Sequence, residues 1–93
     1  MTSIKLKKAR NQIDKIDHSI FKLIKKRSKI VKHMMNIKTH KKEIVDNKRI
    51  KEILKKIRKK SIQNNVDPLI TNKIWKSMIW SYVDFQRRNF KKK

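Results

Sequence analysis

Arg10, Arg27, Lys38, Arg49 and Gln86 fall at or beside positions where a helical pattern calls for apolar side chains. Together they could hold a small anion. A guanidinium donates two parallel hydrogen bonds to a carboxylate, and an ammonium and an amide can both donate to a single oxygen. Stepping by fours and threes from Ala9 passes Ile13, Ile16, Ile20, Leu23, Arg27, Val31, Met34 and Lys38, so two cations interrupt an apolar seam. Arg10 lies on the neighbouring row Arg10, Ile13, Asp17, Ile20, Ile24. Arg49 leads the row Arg49, Ile53, Ile57, and Gln86 closes the row Trp75, Ile79, Tyr82, Gln86. Only Asp17 and Asp46 stand close enough in sequence to balance four cations. A buried cation without a counter-charge costs more than its apolar neighbours return. One such residue can carry its head to water along the rim of a seam. Taken together, the five groups read as a pocket that a multiply negative ligand completes.

The elements that must position them are helices. Ninety-three residues make one small domain, and with no glycine and a single proline, Pro68, tight turns are scarce. The expected class is all-α, with one long helix and two shorter ones. The first should run from Ser3 to Lys38 or a little beyond, capped by Ser3 or Thr2 and free of internal breakers. Its length of roughly 50 Å is too great for a lone chain of this size, so self-association is expected. Thr39 to Val45 loses the period and reads as a loop. Asp46 or Asn47 can cap a second helix reaching about Gln63, with Ile50, Ile53, Leu54 and Ile57 apolar. Asp67 followed by Pro68 starts a third, to about Phe90, with Ile74, Trp75, Met78, Ile79 and Tyr82 inward. Residues 90–93 read as a frayed basic tail.

Composition narrows the function classes. The net charge is +22, and the excess is lysine, 23 Lys against 6 Arg, beside 15 Ile and 7 Asn. These residues share A/T-rich codons, so mutational bias accounts for much of the charge; the field still draws anions inward. The runs "KKIRKKS" and "RRNFKKK" could touch phosphates, but the lysines surround every helix and no reading helix or stacking platform stands out. Nucleic acid is therefore not the expected partner. A membrane is not expected either, since no apolar run spans a bilayer and the first helix carries cations inside its apolar stripe. No cysteine and no secretory leader are visible, which makes the cytoplasm the expected compartment. His18, His33 and His40 lack carboxylates at metal-binding spacing, and neither metal nor cofactor is expected. Asp14 and Asp17 read as a salt-bridging surface pair, and Trp75 and Trp80 as core or dimer contacts.

Read in order, these residues resemble the all-helical, AroQ-class chorismate mutase family. "ARNQIDKIDHSIFKLIKKRSKIV" is similar to that family's opening helix, and Lys38 follows Arg27 at the family's interval of eleven. "VDNKRI" resembles its V-x-D-x-x-R-E motif with one loop residue deleted, and "NNVDPLITNKIWKSMIWSYVDFQ" resembles its closing helix. The resemblance implies an intertwined three-helix homodimer that rearranges chorismate to prephenate for aromatic amino-acid biosynthesis, with no covalent intermediate. It implies that Arg10, donated across the interface, and Arg27 clamp the substrate carboxylates. Lys38 and Gln86 would donate to the ether oxygen, and Asp46 and Arg49 would stand near the ring hydroxyl. Two departures stand out: Ile50 replaces the family's glutamate, and Tyr82 replaces a small hydroxyl residue. Both, with the shortened loop, are similar to the isochorismate pyruvate-lyase branch, which yields salicylate and pyruvate on the same fold.

Overall fold

The computed structural model describes residues 3–91; the alternative cap Thr2 and the tail residues Lys92 and Lys93 lie outside them. The protein is all-α, with α1 (Ile4–Ile37), α2 (Asn47–Gln63) and α3 (Pro68–Asn89), and a short 3-10 helix (Lys41–Ile44) between α1 and α2. No strand occurs among the described residues. The chain divides into two compact units, Met1–Lys32 and His33–Lys93.

The first unit is most of α1. Ser3 caps it, its Oγ accepting from the Leu6 N–H at 3.1 Å, and no proline or glycine interrupts the run that follows. Its apolar seam is bare over the early turns: Ile13, Ile16, Ile20 and Leu23 are each half or more exposed. Toward its end Ile24, Arg27 and Ser28 become half-buried and Val31 buried.

The second unit is built on the α2–α3 pair. Asp46 caps α2 through Oδ1 to the Arg49 N–H (3.0 Å), and Asp67 caps α3 through Oδ1 to the Leu69 N–H (2.9 Å). Each such cap is worth about 1 kcal/mol. Pro68 at the first turn of α3 forfeits no bond, because that N–H would have no helical partner. Between the helices, Asn65 takes φ 57°, the left-handed conformation, in a chain that has no glycine to offer. The Asn65 N–H bonds the Ile62 carbonyl (3.4 Å) and the Val66 N–H bonds the Ser61 carbonyl (2.9 Å). This closes α2 with a Schellman turn.

The inward face of α2 carries Ile50, Ile53, Leu54 and Ile57, all half-buried, and then Ser61. It packs on α3, whose buried residues are Ile79, Val83 and Gln86. Buried Ser61 bonds the Ile57 carbonyl (2.6 Å) and the Thr71 hydroxyl (2.7 Å), joining the two helices by a satisfied polar pair. The 3-10 helix also packs on α3 and buries Ile44.

Three details depart from the periodic reading. The 39–45 segment is not wholly a loop, because one turn of 3-10 helix places Ile44 in the core. Arg49 is exposed beside the α2 stripe, which Ile50 opens instead, since a guanidinium one position round the helix keeps its hydration. Ile74 is 52 % exposed, on the side of α3 away from Ile79 and Val83. No helix among the described residues is long and apolar enough to cross a membrane.

Candidate active site

The expected donors Lys38 and Gln86 come from opposite ends of the second unit's sequence and meet. Lys38 directly follows α1, its N–H still bonded to the Met34 carbonyl at 3.1 Å, so its backbone continues the last helical turn. Gln86 lies one turn beyond Tyr82 on α3, where the stripe that buries Ile79 and Val83 also buries the amide. Lys38 Nζ donates to Gln86 Oε1 at 2.9 Å, although the two residues are 48 apart in sequence. Nε2 of the same amide donates to the Tyr82 carbonyl at 3.3 Å.

This pattern determines which way the amide points. An ammonium has no lone pair to offer, so only the amide oxygen can face Lys38. Nε2 is then aimed at the helical carbonyl one turn back. The lysine keeps two further N–H bonds and Nε2 keeps one. Lys38 is half-buried and Gln86 is 6 % exposed, so both donors act where water competes weakly. Chemically, the arrangement sets a cationic donor against the oxygen of a buried amide whose N–H is turned to the helix backbone.

The remaining expected site residues are placed as follows. Tyr82 is half-buried and supplies its carbonyl to the amide. Asp46 and Arg49 stand at the start of α2: the Asp46 carboxylate is engaged in capping, and the Arg49 guanidinium lies 4.0 Å from Glu52 on an exposed face. Neither forms a hydrogen bond with Lys38 or Gln86 among the described residues. Ile50 is half-buried at the head of the α2 stripe.

In the first unit, Arg10 is exposed and Arg27 half-buried. Seventeen positions separate them along one helix, about 25 Å of axial rise. A single small dicarboxylate cannot span that distance. Among the described residues no group of three or more His, Cys, Asp or Glu side chains could hold a metal ion.

Sequence reasoning gave no part to the Ser61–Thr71 pair or to Glu43, whose Oε2 accepts the Thr39 N–H at 3.0 Å. Ser61 could have been found by continuing the row Ile50, Leu54, Ile57 by one step. Glu43 carries no periodic signal.

A family model described as chorismate mutase type II matches residues 9–87. No curated protein and no solved structure matches the chain.

Proposed function

The chain belongs to the type II chorismate mutase family over residues 9–87, and from that premise we propose that it catalyses the rearrangement of chorismate to prephenate. The observation that supports the reading is the 2.9 Å bond from Lys38 to the buried Gln86, because it brings side by side the two residues that the family resemblance names as donors to the ether oxygen. In this rearrangement the carbon–oxygen bond breaks as a carbon–carbon bond forms in one cyclic shift of electrons, with no proton transferred. Negative charge grows on the ether oxygen as it leaves. Donors already fixed there stabilise the transition state more than the substrate. Removing one such donor typically lowers turnover by about 10²–10³-fold.

Cationic side chains would supply the rest by holding the substrate compact. Arg27 and Arg10 bind its carboxylates, and the 25 Å between them on one helix is the reason Arg10 comes from a second copy of the chain. The exposed seam of α1, with Ile13, Ile16, Ile20 and Leu23 bare, supports the same homodimer, since a long apolar stripe in water is a surface for association. Asp46 and Arg49 approach the ring hydroxyl from the start of α2. Ile50 leaves that hydroxyl without the carboxylate acceptor usual in the family, and Tyr82 stands where the family often has a small hydroxyl residue.

The test is to offer the purified protein chorismate and isochorismate separately and identify the products. Prephenate from chorismate at the higher kcat/KM upholds the proposal. Salicylate and pyruvate from isochorismate as the faster reaction would replace it with the lyase. The substitution Ile50→Glu sharpens the point. It should raise mutase turnover by about tenfold or more by restoring an acceptor whose bond is worth about 1.5–3 kcal/mol; an unchanged or lower rate counts against this register of α2.

A further inference from the structure

We propose that Glu43 is a positioning residue for Lys38, an inference that rests on the reading of Lys38 as the donor to the reacting oxygen. Immediately after α1 the chain must turn without glycine. Lys38 is the last residue whose N–H follows the helical ladder, bonding Met34 at 3.1 Å. The next N–H, that of Thr39, is taken by the Glu43 side chain at 3.0 Å, while the Glu43 N–H returns to the His40 carbonyl at 3.0 Å. The loop that begins one residue after Lys38 is thus closed on itself by one side chain. Ile44, next in sequence, is 5 % exposed, and its 3-10 helix packs on α3, the helix that carries Gln86. Lys38 is therefore held at both ends: Nζ by Gln86, and its backbone by a loop that Glu43 ties and Ile44 anchors.

The choice of partner is informative. Glu43 adjoins Lys42 and Lys41 in a chain with 29 lysines and arginines against 7 acids. Its carboxylate nevertheless accepts from a backbone amide, a use that depends on geometry more than on charge. Because the bond is exposed, it adds little to global stability. Its effect is on aim, and catalytic groups misplaced by about 1 Å can lose two orders of magnitude in rate.

The experiment compares Glu43→Ala and Glu43→Gln with the unaltered chain, by steady-state kinetics on chorismate and isochorismate and by NMR of the Thr39 backbone amide and the Gln86 side-chain amide. Glu43→Ala should lower kcat on the order of tenfold, leave KM within about twofold and move the thermal midpoint by no more than about 2 °C. Glu43→Gln keeps an oxygen that can accept the Thr39 N–H and should restore most of the rate. In the alanine variant alone, Thr39 exchange should quicken and the Gln86 amide signals should move. Unchanged kcat in Glu43→Ala, equal losses in both variants, or unmoved Gln86 signals would overturn the proposal. If the unaltered chain converts neither compound, the functional reading fails, and the Gln86 signals alone still decide whether Glu43 positions Lys38.

Discussion

The early turns of α1 and the α2–α3 pair use similar residues to opposite ends. In α2 and α3 the apolar rows meet each other, both N-termini are capped by aspartate, and the one left-handed residue is closed by two backbone bonds. In the first unit Ile13, Ile16, Ile20 and Leu23 form as regular a stripe, yet each remains half or more exposed. Periodicity reports that a face is meant to be covered and is silent about what covers it. The difference teaches that the second unit carries its own polar and apolar complement, whereas the early turns of the first leave an equally regular stripe uncovered.

The largest expected effect tests the second unit's site. Lys38→Ala should reduce turnover by about 10²–10³-fold while circular dichroism and the sedimenting mass of the assembly are preserved, because the lysine contributes donors and little packing. Full activity would dissolve the distinction between a site and a structural bond. Next, Ile16→Asp combined with Ile20→Asp places charge on the bare stripe. Sedimentation should then report the chain's own 11.4 kDa rather than twice that mass, with activity lost as well. A persistent dimer would mean that α1 does not provide the contact. Ser61→Ala removes the hydroxyl that joins the two helices, leaves Thr71 its longer bond to the Pro68 carbonyl (3.4 Å), and should cost about 1 kcal/mol in chemical denaturation, with the sedimenting mass of the assembly unaltered. The smallest effect belongs to Asn65→Gly, which suits φ 57° and should raise the melting temperature by a degree or two, corresponding to a few tenths of a kcal/mol. A fall instead would show that the asparagine side chain supports the turn.

Much of this architecture is legible in the residues alone, for reasons that are local. Ser3, Asp46 and Asp67 announce helix starts because a short polar side chain reaches an N–H two or three residues on, and all three do so here. Pro68 marks its boundary because its ring fixes φ and removes a donor. What escaped the sequence depends on neighbours that periodicity does not name. The 3-10 turn at Lys41–Ile44 exists because Ile44 finds α3, and a four-residue helix is too short to show a period. The apolar row of α3 includes Ile74 in the expectation, but Ile74 is one position from Trp75, and 100° of rotation is enough to leave it in water. Arg49 is a similar case, one step from Ile50. Of the site, the meeting of Lys38 and Gln86 was foreseeable only through family likeness, since no local rule joins residues 48 apart.

The unbroken run of α1 from Ile4 to Ile37 has a mechanical corollary. A helix without proline or glycine behaves as a stiff ruler, so Arg10 and Arg27 keep one fixed spacing. If each reaches a different substrate molecule, as in the proposed homodimer, then every ruler is shared between two pockets. In that arrangement a kink inserted midway, for example by Phe21→Pro, would misalign both pockets at once.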